Sequence, residues 1–144
     1  MEFQQISSDR AGTLSTEQAA LHGSGRALLV DDVAMNLRIL GAMLKRLGAD
    51  CIFAESGAEA LRILETERPG IILTDLWMPG MSGSELVRRL AADAEWKQIP
   101  VVAVTADVQI SAEERKLFTD LLLKPITLVS LREMLERAWK PVQP

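Results

Sequence analysis

The stretch Ala27-Leu28-Leu29-Val30-Asp31-Asp32 sets the pattern of the sequence, because four apolar residues lead directly into two acids. A short run without polar residues indicates a strand that is buried on both faces, as strands in parallel sheets are. Similar runs recur at residues 51–54, Ile71–Asp75, Val101–Thr105 and residues 121–123. The sequence therefore predicts five short strands.

Helical patterns separate these runs. Four leucines from Leu37 to Leu47 are spaced three and four residues apart, on one face of a helix, and Gly48 follows where that helix would stop. A last helix, capped by Thr127, repeats the spacing. Strands that alternate with helices imply right-handed crossovers and a parallel sheet covered on both faces. We therefore predict a three-layer α/β fold, flavodoxin-like and doubly wound, with five parallel strands in the order 2-1-3-4-5.

Two serine and glutamate pairs mark further helix starts. Ser56 with Glu59, and Ser111 with Glu114, have the spacing of capping boxes, in which each side chain satisfies a backbone N–H of the other residue. The helix after Ser111 reaches Phe118 at most, so we expect it to be short.

Composition and charge exclude several classes of protein. The 144 residues are 48% hydrophobic and 25% charged, which is typical of one globular domain. The single cysteine, Cys51, rules out an intramolecular disulfide and a multi-cysteine zinc site, and the net charge of −4 disfavours direct binding to nucleic acid. No apolar run is long enough for a membrane span, and the first 25 residues lack the features of a signal peptide, so we expect a cytoplasmic protein.

The domain boundaries follow from a shift in composition. Residues 1–25 are polar and end in Gly23-Ser24-Gly25, which is typical of a flexible tail or linker. The folded domain is predicted to cover residues 26–141.

Chemically useful side chains stand where the predicted strands end. Asp31 and Asp32 end the first strand, Asp75 the third, Thr105 the fourth and Lys124 the fifth. In a sheet of this order the first and third strands are neighbours, so the three acids should meet at the carboxyl end of the sheet. Three carboxylates there would repel one another unless a cation were bound between them. Ligands that are all oxygen atoms favour Mg²⁺ as that cation. A metal, a lysine and a hydroxyl around one carboxylate suit the transfer of a phosphoryl group to that carboxylate.

These residues resemble the receiver domain of two-component response regulators, particularly the receivers of hybrid sensor histidine kinases. The likeness covers residues 27–139. It rests on four features in order: Asp31-Asp32 with Asn36 downstream, the run from Asp75 through Met78-Pro79 to Gly83, Thr105-Ala106, and Lys124-Pro125.

The resemblance implies a role for each site residue. Asp75 would be the phosphoacceptor and would take a phosphoryl group from a phosphohistidine on a histidine kinase or a histidine phosphotransferase protein. Asp32 would bind Mg²⁺ directly, Asp31 through water, and the backbone carbonyl of Trp77 would complete the metal ligands. Thr105 and Lys124 would hold the phosphoryl oxygens.

The same resemblance implies how the chain works as a whole. It would catalyse only its own phosphorylation and dephosphorylation, and would either switch conformation or relay the group onward. We expect a monomer or a weak dimer that does not bind nucleic acid directly and of which this segment does not insert into a membrane, and the chain could be one part of a hybrid histidine kinase.

Three departures from the family pattern bear on switching. Leu121 occupies the place, three residues before the lysine, where the family usually has an aromatic ring. The interval from Thr105 to Lys124 is a few residues shorter than usual. Trp77 stands two residues after the acceptor, at a position that affects access of water to the phosphoryl group.

Two other functions remain open from the sequence. Leu121 and the short fourth helix would also suit a receiver-like interaction module that acts without phosphorylation. A metal-dependent phosphohydrolase could use a strand-end aspartate, but such an enzyme normally has a second acid where this chain has Trp77, and it needs a cap for which there is no room.

Overall fold

The computed structural model describes residues 25–106 and 109–139. The predicted tail, apart from Gly25, lies outside the described residues, as do residues 140 and 141 at the end of the predicted domain. The described strands are β1 (Arg26–Val30), β2 (Asp50–Ala54), β3 (Ile71–Asp75), β4 (Val101–Thr105) and β5 (Asp120–Leu123). The helices that follow them are α1 (Ala34–Arg46), α2 (Gly57–Leu64), α3 (Gly83–Ala91), α4 (Ala112–Arg115) and α5 (Leu128–Ala138).

The five strands form one parallel sheet in the order β2-β1-β3-β4-β5. This confirms the predicted architecture and strand order. Because β1 and β3 are neighbours, with Val30 paired to Thr74, the residues that follow these two strands emerge side by side.

The core lies in two layers, one on each face of the sheet, because alternate residues of a strand point to opposite faces. Ala27 and Leu29 pack with α1 and α5 in the first layer, whereas Leu28 and Val30 pack with α2 and α3 in the second. Trp139, just after α5, is 3% exposed in the first layer and lies against Gly70.

The burial of the two outer strands, β2 and β5, differs from the prediction. The runs in β2 and β5 suggested strands buried on both faces, but Phe53 and Leu123 are 44% and 46% exposed. Both strands lie at the edges of the sheet, where the covering helices do not reach every residue. Apolar composition alone does not distinguish an edge strand from a central one.

At the starts of α2 and α4, one of the two hydrogen bonds of each predicted capping box is present. The hydroxyls of Ser56 and Ser111 accept hydrogen bonds from the backbone N–H groups of Glu59 and Glu114, as predicted. The glutamate carboxylates bind elsewhere, and this part of the prediction is wrong. Glu59 accepts from the N–H of Glu55 at 2.7 Å, and Glu114 accepts from the Ser84 hydroxyl at 2.7 Å.

Helix α4 has only four residues, none of them buried, and this confirms the expected short fourth helix. Thr127 caps α5 as predicted, with Ser130 completing a reciprocal capping box. Gly48 follows α1 with a φ of 94°, a left-handed conformation that glycine adopts without strain.

Candidate functional site

Three carboxylates meet at the carboxyl end of the sheet. Asp31 and Asp32 follow β1 and Asp75 ends β3, and one oxygen of each lies within 4.8 Å of the others. Asp31 is buried, Asp75 is half-buried and Asp32 is exposed. The juxtaposition of these three acids, predicted from strand order, is therefore present.

The Asp31 carboxylate is held by two hydrogen bonds. The backbone N–H of Val33 donates to Oδ1 at 2.9 Å, and the Asn36 side-chain amide donates to Oδ2 at 3.1 Å. Both oxygens are thereby fixed in a residue that is only 8% exposed. In the sequence Asn36 stood out only as part of a motif, and its contact with Asp31 was not predicted.

The electrostatic environment of Asp75 opposes its ionisation. Burial raises the pKa of its carboxyl most, the Lys124 ammonium lowers that pKa, and the Asp31 carboxylate raises it again. The backbone N–H of Leu76 donates to Oδ1 at 2.9 Å and favours the charged form. The net pKa lies above the ordinary value, because one lysine does not offset burial beside another acid.

A close contact fixes the loop between β3 and α3. The N–H of Gly83 donates to the carbonyl of Leu76 at 2.9 Å, and a Cβ on Gly83 would lie 2.3 Å from the backbone oxygen of Asp75. Only glycine allows this approach. The loop buries Leu76 and Met78 and leaves the Trp77 side chain 63% exposed.

Thr105 is the last residue of β4, and Lys124 directly follows the neighbouring strand β5. The backbone N–H of Lys124 donates to the Thr105 carbonyl at 2.9 Å, and the Thr105 residue is 2% exposed. The Lys124-Pro125 peptide bond is cis. Lys124 thus acts on Asp75 through charge, and Thr105 is joined to Lys124 through the backbone.

A cavity of about 200 Å³ adjoins the acids on the side of α1. Asp31, Asn36 and Lys124 form its polar part, and apolar side chains of α1 and of the segment after β5 form the rest. This cavity could not be predicted from the sequence, because it joins residues as far apart in the chain as Asp31 and Ile126.

The donor set fits a hard divalent cation. Mg²⁺ is bound in proteins by a few carboxylate oxygens and waters, and the three carboxylates supply such oxygens without any histidine or cysteine. A cation would also relieve the repulsion that raises the pKa of Asp75. None of the described helices has the length and apolar character needed to cross a membrane.

Comparisons with known proteins agree on one family. The model of the response regulator receiver domain matches residues 27–136. Protein PilH of Pseudomonas aeruginosa is 36% identical over 104 residues, which cover 70% of this chain and 86% of PilH. Chemotaxis protein CheY-3 of Vibrio cholerae is 32% identical over 127 residues, covering 85% of this chain and 98% of CheY-3.

A solved structure adds a metal to the comparison. The receiver domain of the sensor histidine kinase PA1611 from Pseudomonas aeruginosa superposes with a TM-score of 0.72 at 30% identity, over 80% of this chain and 96% of that one. That domain has a magnesium ion coordinated in its active-site cleft.

Proposed function

The chain belongs to the response regulator receiver domain family, and from that premise we propose that Asp75 is its phosphoacceptor and takes a phosphoryl group from a phosphohistidine with Mg²⁺ bound beside it. The observation that carries this proposal is the meeting of Asp31, Asp32 and Asp75 within 4.8 Å at the end of the sheet. Receivers of this family act in two-component systems with histidine kinases or phosphotransfer proteins.

Asp75 is the nucleophile in the proposed reaction. One of its carboxylate oxygens attacks the phosphorus of the donor, so that a P–O bond forms while the bond from phosphorus to the imidazole nitrogen breaks. The electron pair of the broken bond stays on the imidazole, which leaves. The backbone N–H of Leu76 donates to Oδ1 and thereby helps to orient the carboxylate.

The metal ligands in this proposal are those named from the sequence. Asp32 and Asp75 bind Mg²⁺ directly, Asp31 binds through water, and the Trp77 carbonyl adds a neutral oxygen. Bound there, the ion would neutralise charge on the phosphoryl oxygens. The exposure of Asp32 supports its role, because a direct ligand that keeps contact with solvent can exchange water for the ion.

Thr105 and Lys124 complete the proposed phosphoryl site. The Lys124 ammonium already acts on the charge of Asp75, and it would pair with one oxygen of the phosphoryl group. The Thr105 hydroxyl would donate to another. Because the Lys124 N–H binds the Thr105 carbonyl, the two residues are held on adjacent strand ends.

The surface beside the acids suits a helical phosphohistidine protein. Val33, Met35 and Ile39 on and before α1 are 46%, 57% and 54% exposed, which is high for apolar side chains. Ile39 lines the cavity that opens toward Asp31 and Lys124. An apolar helix that packed there would bring its histidine to Asp75, and a patch of this kind marks interaction sites.

The proposed donor does not identify the parent protein. The PA1611 receiver belongs to a sensor histidine kinase, and we propose that this chain is likewise the receiver of a hybrid kinase that relays its phosphoryl group to a phosphotransferase. In this role Asp75 holds the phosphoryl group only until it passes to the next protein of the relay.

The test is to incubate the chain with Mg²⁺ and acetyl phosphate and to measure its intact mass. The same measurement is then made with a phosphorylated histidine phosphotransferase as the donor. We expect one phosphoryl adduct that Asp75→Asn abolishes. Asp50→Asn, an acid at the start of β2 and at the other end of the sheet, is the matched control and should react as the parent does. A chain that stays unmodified with both donors would contradict the proposal and favour an interaction module.

A further inference from the structure

The two acids that follow β1 are held very differently. Asp31 is 8% exposed and both of its oxygens accept hydrogen bonds, from Val33 and from Asn36. Asp32 is exposed, and no residue in the described part of the chain donates a hydrogen bond to its carboxylate. Asp31 is therefore a fixed group and Asp32 an adjustable one.

Asn36 is the only side chain in the described residues that holds the Asp31 carboxylate. It comes from the first turn of α1, and its amide reaches back over five residues to Oδ2 at 3.1 Å. An amide is neutral, so this contact orients the carboxylate without neutralising it. The cluster keeps the full negative charge that attracts a divalent cation.

Groups that hold metal ligands affect metal binding strongly. A hydrogen bond from outside fixes the direction of a direct ligand's lone pairs, and its loss typically weakens metal affinity about 10–100-fold. For Asp31, which would hold the metal-bound water rather than the ion, we expect the lower end of this range. Without the amide, only the Val33 N–H on Oδ1 would hold Asp31, and Oδ2 could turn away from the ion or toward Lys124, which lines the same cavity.

We propose that Asn36 is a positioning residue that holds Asp31 in the orientation needed to bind the metal-bound water, while Asp32 and Asp75 bind the ion directly. This inference rests on the proposed function. It assigns the two neighbouring acids different tasks: Asn36 makes Asp31 a rigid outer acid, and the absence of such a contact leaves Asp32 free to approach the ion.

A purely structural role would look different. The start of α1 has no side-chain cap on Val33, so the tie between Asp31 and Asn36 could serve only to secure the first turn of the helix. In that case loss of the amide would lower the melting temperature of the metal-free protein and leave Mg²⁺ affinity unchanged.

The experiment is a Mg²⁺ titration of the full chain, followed by tryptophan fluorescence, since Trp77 lies in the loop beside Asp75. Asn36→Leu keeps a side chain of similar size but has no donor, and we expect its dissociation constant for Mg²⁺ to rise at least about tenfold. Arg38→Ala, exposed on the same helix, is the control and should bind as the parent does. Asn36→Gln retains an amide and should recover part of the affinity.

A double-mutant cycle decides whether Asn36 acts through Asp31. In an Asp31→Ala background, Asn36→Leu should have no further effect on Mg²⁺ affinity. A further tenfold loss there, or an affinity within about twofold of the parent for Asn36→Leu alone, would overturn the inference. Circular dichroism and melting of the metal-free variants separate weak binding from unfolding. Asn36→Ala, which also lacks the donor and adds no charge, replaces Asn36→Leu if the latter does not fold.

Failure of the inference and failure of the proposed function are distinguishable. If Asn36→Leu binds Mg²⁺ normally while Asp32→Ala loses it, the metal site stands and only the role of Asn36 is wrong. If the parent chain itself binds no Mg²⁺ and takes no phosphoryl group, the proposed function is wrong, and the inference about Asn36, which rests on it, is wrong as well.

Discussion

Folding makes the Asp75 carboxyl harder to ionise. Its pKa is raised, first by burial and then by the nearby Asp31 carboxylate, against the opposing effect of Lys124. A raised pKa means that ionisation of Asp75 costs stability at every pH above that pKa, and that the cost disappears as the pH falls through it.

We therefore predict that Asp75→Asn raises the melting temperature of the metal-free protein at pH 7 by a few degrees. The difference from the parent should shrink in acid, where Asp75 is protonated, and also in Mg²⁺, which stabilises the parent by binding. Thermal melts at several pH values measure it, with Asp50→Asn as the control. A fall in the melting temperature of Asp75→Asn at pH 7 would show that the acids do not repel one another as described.

Cys51 is a poor nucleophile in the folded chain. Burial, with a contribution from the Asp50 carboxylate, raises the pKa of its thiol from 9.0 to about 11. At pH 8 the thiolate fraction is then about a hundredfold smaller than in the denatured chain.

We predict that iodoacetamide alkylates Cys51 about a hundredfold more slowly in the native protein than in denaturant at pH 8. The native rate should climb steeply toward pH 11. Intact mass at timed intervals gives both rates, and equal rates in the two states would contradict the burial of this thiol.

Helix α4 depends on few contacts. It buries none of its four residues, and its ion pair from Arg115 to Asp120 spans 4.0 Å between exposed or partly exposed groups. Its shorter tie is the hydrogen bond from the buried Ser84 hydroxyl to the Glu114 carboxylate. Ser84 stands next to Gly83, which lies against the backbone of Asp75, so α4 is linked through α3 to the loop between β3 and α3.

Removal of this tie should loosen α4 without unfolding the domain. For Ser84→Ala and for Glu114→Ala, each of which removes one partner, we predict amide hydrogen exchange in residues 111–118 that is about fivefold faster, as expected for about 1 kcal/mol of lost hydrogen bonding. Glu113→Ala, the same substitution at an exposed neighbour, is the matched control. Exchange at the parent rate in both test variants would show that other contacts hold α4.

The capping residues show which local features a sequence discloses. Ser56, Ser111 and Thr127 were predicted as caps and are caps, because a serine or threonine hydroxyl needs only the N–H three residues ahead. Ser82 caps α3 by the same spacing to Glu85, a signal that the sequence analysis overlooked. The glutamate partners could not be predicted, because a long carboxylate binds whichever donor the tertiary structure brings near.

Across the whole molecule, strand order was the feature that allowed the site to be predicted. Apolar runs and alternating helices gave the parallel sheet, and neighbouring β1 and β3 brought Asp31 and Asp75 together. The contact of Asn36 with Asp31 and the cavity beside them were not predicted, because they depend on how α1 packs against the end of the sheet. Periodicity gives the face of a helix but not its distance from a strand end.

Leu121 bears on how far a structural change at Asp75 would extend across the molecule. It lies in β5, half-buried, and packs against the second core layer. A phosphoryl group shifts the structure only through contacts that differ between two states, and Thr105 is the residue that would move toward it. A leucine that is already packed has less surface to bury than an aromatic ring that swings inward, so it contributes little to the difference between the states.

We therefore predict that a beryllium fluoride mimic of the phosphoryl group shifts the amide resonances around Asp75 and Thr105 strongly and those around Leu121 only slightly. Leu121→Tyr should enlarge the response at β5 and α5, because a ring exposes and buries more surface between the two states. Two-dimensional amide spectra of parent and variant, with and without the mimic, measure both effects. Equally large shifts in the parent over residues 111–139 would contradict the prediction. The expected pattern, a strong change at the acids and a weak one on the face of β5 and α5, suits a receiver that passes a phosphoryl group on better than one that dimerises through that face.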